Sequence, residues 1–355
     1  MGRRALKHTH TRCNSDMVNN PRLAVTTEGV STIVPAVSVV IPALNEEKTI
    51  GRCLEALCHM DCGAQDFEVI LADNGSQDST VEIARSYMGR LHLRIIQRPG
   101  VYISALRNAA AKLAEGTALA FLDADCVPPP TWIAGILSHL RAMPNAVIGA
   151  HYMIPRDSSW IANAWYGRDP GKIGIVNYVP GGDLIVARED FTALGGFDES
   201  IQTNEDAEFC RRARLRGLNV VAFQQLAVEH LGTPQTLSAF FRKQHWQGTH
   251  VFKIFLRERG SQNARPVALA AYTIITFLAA IVGIVLRVTG QQYHLLTFSV
   301  VALIAAPVVI GTQMAVRRKR IADAAILALL TLVYAFARSL CLLDIRTWLY
   351  ERRTF

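Results

Sequence analysis

The chain has few cysteines and few charged residues for its length. Its seven cysteines among 355 residues are odd in number and irregularly spaced, which excludes a small scaffold held together by disulfides. Charged residues make up only 19% of the chain and hydrophobic residues 50%, whereas disordered chains combine low hydrophobicity with high charge. The composition therefore predicts a folded protein, and the apolar excess has to lie either in a core or in membrane spans.

The common glycine-rich loops that bind phosphate are also missing. The turn after the first predicted strand, Pro42 to Glu47, has no glycine and is not a dinucleotide fingerprint, and the chain has no GxxxxGK[ST] loop. It also lacks a motif for nucleic-acid recognition. A basic N-terminal tail and basic clusters beside apolar segments account for the net charge of +8. We therefore expect no nucleic-acid partner and no glycine cradle for a phosphate.

The apolar excess is concentrated near the C-terminus. Residues 266–286 and 295–316 contain no charged side chain, and each reaches the roughly 20 residues that cross about 30 Å of hydrocarbon. We predict that both segments span a membrane and that residues 263–355 form a multi-pass membrane domain. A third candidate span, 321–343, contains Asp323 and Arg338. We expect it to cross the membrane as well, with Arg338 reaching towards the interface; the alternative is that the segment lies in the interface.

Basic residues beside these segments predict the orientation. They cluster before the first segment and after the second, whereas only Arg287 lies between the two. The positive-inside rule therefore places the N-terminal part in the cytoplasm and predicts a plasma (inner) membrane protein. If the third segment spans, however, the basic residues that follow it lie outside, against the rule. The flanking residues are Lys253, Arg257, Arg259 and Arg265, then Arg317, Arg318, Lys319 and Arg320, and finally Arg346, Arg352 and Arg353.

The N-terminal part divides into three regions. Residues 1–36 hold no apolar run like that of a signal peptide and are predicted to be a flexible basic tail. Short β-branched runs alternate with helical stretches over 37–235, which predicts an α/β domain with a mostly parallel sheet flanked by helices. Residues 236–262 interleave aromatic and basic side chains, which predicts amphipathic helices at the membrane surface; the alternative is an ordinary packed helix pair. The predicted strands are Val37–Ile41, Phe67–Ala72, Leu93–Gln97 and Ala118–Leu122.

Acidic residues follow two of the predicted strands directly. Asp73 comes after the second strand, and Asp123 and Asp125 come after the fourth. In parallel sheets ligands bind beyond the carboxyl ends of the strands. Two carboxylates separated by one small residue can reach one hard cation and leave positions for diphosphate oxygens. We therefore expect a site for Mg²⁺ or Mn²⁺ at this edge.

The order of the motifs resembles a known family. The segments VSVVIPALNEE, ADNGSQDST, ALRNAA, FLDADC, GGFDE and NEDAEFCRR follow one another between Val37 and Gly248, and this order is similar to that of membrane-anchored, bacterial-type glycosyltransferases of family 2 with the GT-A fold. The resemblance implies a metal-dependent, inverting transfer of one sugar. The donor would be a nucleotide sugar, and the acceptor a lipid-linked or envelope polysaccharide at the cytoplasmic membrane face.

The resemblance also implies roles for individual residues. Asp206 would be the catalytic base, which an acceptor hydroxyl needs because its pKa lies far above 7, and Glu205 would orient Asp206 or the acceptor. Arg242 and Lys243 would meet the phosphate of an acceptor if their helix lies at the membrane surface. The donor-binding residues would be Pro42, Ala43, Glu46, Asp73, Arg107, Asp123, Gly181 and Gly182, and the metal ligands Asp125, Asp123 and His230.

Each of these assignments has a plainer alternative. Glu205 and Asp206 would also stabilise the start of a helix through its dipole. His230 is alternatively a structural residue. Arg107 is alternatively a solvent-exposed residue of its helix. Zinc ligation by the cysteine-rich stretch from Cys53 to Cys62 fits no standard spacing.

Two other functions stay open. The first is a processive polysaccharide synthase, although its Q-x-x-R-W motif is reduced here to Gln244-His245-Trp246. The second is a membrane protein that binds nucleotide sugars without catalysis. The sequence indicates no oligomeric state.

Overall fold

The computed structural model describes residues 35–63, 66–167, 171–249, 251, 255, 264–290 and 294–343. The predicted basic tail therefore lies almost entirely outside the described residues. Of the predicted surface helices at 236–262, the described part is residues 236–249, 251 and 255.

The first domain is built on an eight-stranded sheet. Its strand order is β3-β2-β1-β4-β8-β6-β9-β7. The pairs β1–β2, β2–β3, β1–β4 and β6–β9 are parallel, and β8 is antiparallel to both of its neighbours. A separate two-stranded ribbon joins β5 to β10. The strands are β1 (Val37–Ala43), β2 (Phe67–Asp73), β3 (Leu93–Gln97), β4 (Ala118–Leu122), β5 (Cys126–Val127), β6 (Ala146–Gly149), β7 (Gly174–Ile175), β8 (Asp183–Ala187), β9 (Asn219–Ala222) and β10 (Glu229–His230).

Helices cover both faces of this sheet. The helices of this domain are α1 (Ile50–Cys58), α2 (Thr80–Arg85), α3 (Ile103–Ala111), α4 (Trp132–Ala142), α5 (Trp160–Trp165), α6 (Arg188–Ala193), α7 (Glu205–Leu215) and α8 (Leu237–Gly248). Because successive side chains of a strand point to opposite faces, Val39 and Ile41 pack into the core under α1 and α4. Val40, between them, packs into the second core beside α3 and α7. Burial on both faces explains why the central strands are continuous apolar runs.

The predicted strands and the mostly parallel sheet are confirmed. All four predicted strands form, and β1 and β2 continue to Ala43 and Asp73. The insertion of the antiparallel strand β8 between β4 and β6 was not expected, because an apolar five-residue run carries no signal of strand direction.

Three long apolar helices follow. They are α9 (Ala264–Val288), α10 (His294–Arg317) and α11 (Ala324–Leu343), the last preceded by a 3₁₀ turn at Ile321–Asp323. By length and composition each is able to cross a membrane. A third apolar cluster, which includes Ile161, Phe240, Ala315 and Leu330, packs α5 and α8 of the first domain against α10 and α11.

Candidate active site

The carboxyl ends of three neighbouring strands form the floor of the site. In the register of β1 and β2, Ala43 lies opposite Asp73, and β4 lies on the other side of β1. The turns after β1, β2 and β4 therefore meet at one edge, as expected from the parallel pairing.

The predicted donor residues after β1 and β2 lie in this floor. Pro42 and Ala43 are buried at the end of β1. Asp73 is fully buried, and its carboxylate accepts hydrogen bonds from the backbone N–H groups of Gly75 (3.1 Å) and Ser76 (3.2 Å). These bonds fix the turn that follows β2.

Glu46 faces the aspartates from the turn after β1. Its carboxylate accepts a 2.5 Å hydrogen bond from the Thr49 hydroxyl. Burial raises the pKa of Glu46, and the negative charges of Asp125 and Asp123 raise it further. The three carboxylates are therefore close enough for their charges to repel one another.

Asp123 is held by two neighbouring side chains. The Arg107 guanidinium donates a 2.6 Å hydrogen bond to one carboxylate oxygen, and the Tyr152 hydroxyl donates a 3.1 Å bond to the other. The orientation of this carboxylate is therefore set before any ligand binds.

Asp125 accepts fewer side-chain hydrogen bonds than Asp123 among the described residues. The imidazole of His230 lies beside it, with Nε2 3.5 Å from Oδ2 of Asp125. Burial lowers the pKa of His230, which favours the neutral imidazole that a metal ligand requires. Both side chains are more than four-fifths buried.

These residues fit a hard divalent cation. Ligand atoms of Asp123, Asp125 and Cys126 lie within 4.8 Å of one another, and the imidazole of His230 stands beside Asp125. Carboxylate oxygens suit Mg²⁺ and Mn²⁺. Burial raises the pKa of Cys126 well above its usual value, so this thiol stays protonated and is a poor metal ligand. Within the described ranges this is the only cluster of three such residues.

Arg107 lies inside the protein rather than in solvent. Its side chain is 2% exposed and its second nitrogen donates a 2.5 Å hydrogen bond to Glu205. Arg107 thus links Asp123 at the end of β4 to the first residue of α7. The structure places it behind the acidic residues, where it orients them.

Asp206 occupies a different position from Glu205. Its carboxylate accepts hydrogen bonds from the backbone N–H groups of Gly181 (2.9 Å) and Ala207 (2.7 Å). Burial raises the pKa of Asp206, and burial also raises the pKa of nearby Tyr178 to about 12. Among the two acids, Asp206 is the one with no salt bridge among the described residues.

The glycine pair before β8 packs directly against these side chains. A Cβ on Gly181 would meet the Arg107 guanidinium, and one on Gly182 would meet Asp123 and Tyr152. The Gly182 N–H donates a 3.0 Å hydrogen bond to the Tyr152 hydroxyl. Both glycines therefore lie against the acidic cluster, at positions where a Cβ would overlap its side chains.

Lys243 reaches the site, whereas Arg242 does not. The Lys243 ammonium donates a 2.8 Å hydrogen bond to the Gly232 carbonyl, and the charges of Asp125 and Asp123 act on it. Arg242 is exposed and donates to the Ser238 hydroxyl at 2.8 Å. Two consecutive residues of α8 therefore point to different places, Lys243 to the site and Arg242 to the surface.

Tyr152 is the site residue that the sequence analysis missed. Its hydroxyl joins Asp123 to Gly182, and its ring lies 4.6 Å from that of His230. A lone tyrosine three residues after a strand carries no signal of its own. The pairing of β10 with β5 brings His230 beside the acidic pair, and a bridge between Met153 and Glu229 places Tyr152 next to it.

Comparison with known proteins identifies the domain. Residues 38–181 match the family described as Glycosyl transferase family 2. Glycosyltransferase AglE of Haloferax volcanii is 27% identical over 258 residues, which cover 70% of this chain and 83% of the relative. Validoxylamine A glucosyltransferase of Streptomyces hygroscopicus subsp. limoneus is 34% identical over 123 residues, 34% of this chain but only 27% of the relative.

A solved structure supports the fold. Mannosyltransferase PcManGT from Pyrobaculum calidifontis, solved with GDP-Man and Mn²⁺, aligns with a TM-score of 0.56 at 18% identity, over 86% of this chain and 87% of that one. Such an alignment establishes the architecture. The chain therefore carries a glycosyltransferase domain of family 2, built on the GT-A fold and joined to long apolar helices.

Proposed function

We propose that this protein transfers a single sugar from a nucleotide-sugar donor to a lipid-linked or envelope polysaccharide acceptor, with inversion at the anomeric carbon. The observation that carries the proposal is the separation of roles at one edge of the sheet. Asp123, Asp125 and His230 form an acidic cluster with an imidazole, and Asp206 stands apart from it on α7.

The donor would bind across the carboxyl ends of β1, β2 and β4. The nucleoside would lie against Pro42, Ala43, Glu46 and Asp73, and the diphosphate beside Asp123 and Asp125. A Mg²⁺ or Mn²⁺ ion held by Asp125, Asp123 and His230 would neutralise charge on the diphosphate as it leaves. Gly181 and Gly182 let the turn before β8 pack against Arg107, Asp123 and Tyr152, because a Cβ at either position would overlap these side chains.

Asp206 would act as the catalytic base. It takes the proton from the acceptor hydroxyl as that oxygen bonds to the anomeric carbon and the bond from that carbon to the diphosphate breaks. Attack from the face opposite the leaving group inverts the centre without a covalent intermediate on the protein. Glu205 holds Arg107 in place, and Arg107 holds Asp123.

The position of α8 favours an acceptor in the membrane. Lys243 lies beside the acidic cluster, while Phe240, on the same helix, packs into the apolar cluster with Leu327 and Leu330 of α11. A cation placed between the site and apolar helices suits the phosphate of a lipid-linked acceptor. We further propose that α9 and α10 cross the plasma membrane and that the domain faces the cytoplasm, as the basic residues indicate.

The proposal is tested with the full-length protein in detergent and a panel of nucleotide sugars, with Mn²⁺, Mg²⁺ or EDTA. We expect turnover of one donor class, lost in EDTA and in Asp125→Ala. Asp206→Asn should bind the donor and fail to transfer. Turnover that persists in EDTA would refute the metal assignment, and no turnover with any donor would favour a non-catalytic binding protein. Long polymer from the purified protein would instead indicate a processive synthase.

A further inference from the structure

The third apolar helix, α11, poses a topological question. Basic residues flank it in the sequence: Arg317 to Arg320 precede the helix, and further basic residues follow Leu343. If α11 crosses the membrane, the basic residues after it lie on the far side, against the usual distribution. The contacts of α11 answer the question.

The start of α11 is tied to the glycosyltransferase domain. Arg318 donates hydrogen bonds to the carbonyls of Ala164 (2.6 Å) and Trp165 (2.8 Å) at the end of α5. Arg320 donates to the Asn163 carbonyl at 3.1 Å. Cations at the C-terminal end of a helix are favoured by unpaired carbonyls and the helix dipole. These bonds fix the α10–α11 junction against that domain.

The other end of α11 contacts the same domain. Arg338 donates to the Gln244 side chain at 3.4 Å, and the Cys341 thiol donates to the His245 carbonyl at 3.0 Å. Gly248 packs so closely that a Cβ there would meet Cys341 and Arg338. The two helices α8 and α11 therefore run side by side, from Phe240 and Leu330 at one end to Gly248 and Cys341 at the other.

Helix α8 in turn belongs to the glycosyltransferase domain. Besides the bond from Lys243 to the Gly232 carbonyl, the Gln247 carbonyl accepts from the Asn204 side chain at 3.3 Å, one residue before α7. A helix of 20 residues is about 30 Å long. Both ends of α11 thus touch a domain that lies on one side of the membrane, which a spanning helix cannot do.

The depth of α11 in the helix bundle agrees with this. The Ser339 hydroxyl donates a 3.1 Å hydrogen bond to the Ala270 carbonyl near the start of α9. Beyond Ala270, α9 continues to Val288, a further rise of about 27 Å at about 1.5 Å per residue. Beyond Ser339, α11 is described only to Leu343. Its described end therefore lies beside the first part of α9, far from the opposite end of that helix.

The two sides of α11 differ in their partners. Leu327, Leu330 and Ala335 are fully buried against protein. The apolar residues Ile326, Leu329 and Leu340 are exposed, by 36%, 43% and 47%, and lie three or more residues apart on the other side. A helix with one protein-facing side and one exposed apolar side has its outer side in lipid.

We propose that α11 does not cross the membrane but lies in the leaflet next to the glycosyltransferase domain, with its exposed apolar side in the lipid. Among the described helices α9 and α10 then cross, and the described end of α11 at Leu343 lies on the side of that domain. That this side is the cytoplasm rests on the proposed function. The occupant of the exposed side is the acyl region of the bilayer, since it continues the apolar surface of α9 and α10.

The test uses paired reporter fusions to the full chain in a bacterial host. Green fluorescent protein, which fluoresces only when it folds in the cytoplasm, and alkaline phosphatase, which is active only after export, are fused in turn before Met1 and after Phe355. We expect fluorescence and no phosphatase activity at both ends. A membrane-impermeant maleimide should label Thr289→Cys, at the far end of α9, in intact cells, above the level of the unaltered chain.

The outcomes separate this proposal from the proposed function. A cytoplasmic N-terminal reporter with an exported C-terminal one would show that α11 spans, and would overturn the proposal while leaving the orientation intact. Export of both reporters would contradict the cytoplasmic orientation, while the agreement of the two ends would still support a non-crossing α11.

Discussion

The guanidinium of Arg107 donates a 2.5 Å hydrogen bond to the carboxylate of Glu205, inside the protein. The same guanidinium contacts Asp123 at 2.6 Å. Glu205 is therefore engaged by a permanent cation, whereas the carboxylate of Asp206 accepts only backbone N–H groups among the described residues. Although the two acids are adjacent in sequence, this contact supports the proposal that Asp206 is the base and that Glu205 has a supporting role.

Replacing Arg107 should destabilise the fold as well as abolish transfer. In Arg107→Met, the buried Glu205 and the partly buried Asp123 lose their common cation, and removal of one partner from a buried ion pair costs about 3–5 kcal/mol. We expect a clearly lower free energy of unfolding, measured by denaturant titration of the detergent-solubilised protein.

The matched control is Arg90→Met. Arg90 also forms a two-bond pair with a glutamate, Glu55, but both side chains are more than two-fifths exposed. Exposed ion pairs contribute little to stability, so this variant should have the same free energy of unfolding as the parent. An equal fall in the free energy of unfolding in both variants would contradict the structural role of Arg107.

The pH dependence of transfer should follow Asp206. Burial raises the pKa of this carboxyl, and a base must be deprotonated to accept a proton. Transfer should therefore be lost as the pH falls through a value above the ordinary aspartate pKa of about 3.9, and it should be fully present above that value. The measurement is kcat/KM against pH at saturating divalent cation.

Glutamate at position 206 provides the comparison. Asp206→Glu keeps a carboxylate and should retain an acidic limb, whereas Asp206→Asn should lose activity at every pH. An acidic limb that lies at or below pH 3.9 in the parent would show that another group, or none, controls the proton transfer.

Much of the fold, but less of the site, follows from the sequence. The apolar runs of β1, β2 and β4 predict a buried parallel sheet, and Asp73, Asp123 and Asp125 fall at its edge as expected. The burial of Arg107 depends on the distance between α3 and α7, which are about 100 residues apart in the chain, and local patterns do not encode it. The depth of α11 is likewise set by contacts with α8, since hydropathy measures apolar length and not packing partners.

Tyr152 should act as a positioning residue. Its hydroxyl donates to Asp123 and accepts from the Gly182 N–H, so Tyr152→Phe removes the link between the acidic pair and the glycine pair before β8. Loss of such an outer partner typically costs about 10–100-fold in metal affinity or activity. We expect weaker Mn²⁺ binding, measured by calorimetry, and a fall in kcat of similar size.

The control for Tyr152 is Tyr87→Phe. The Tyr87 hydroxyl donates a 3.0 Å hydrogen bond to the Gly51 carbonyl between α1 and the turn after α2, away from the acidic cluster. This variant should keep the Mn²⁺ affinity and kcat of the parent. Unchanged Mn²⁺ binding in Tyr152→Phe would limit the tyrosine to a packing role.

A methyl group at position 182 should abolish transfer without unfolding the protein. In Gly182→Ala the new Cβ would overlap the Asp123 carboxylate and the Tyr152 hydroxyl. Either the carboxylate or the turn before β8 therefore has to move. A misplacement of about 1 Å costs about 10²-fold in rate. Gly89→Ala is the matched control, because a Cβ at Gly89 meets nothing within 4 Å. Donor turnover should fall at least a hundredfold in Gly182→Ala and stay at the parental level in Gly89→Ala, while size-exclusion profiles in detergent match. Full turnover in Gly182→Ala would mean that the turn before β8 can shift without disturbing the active site.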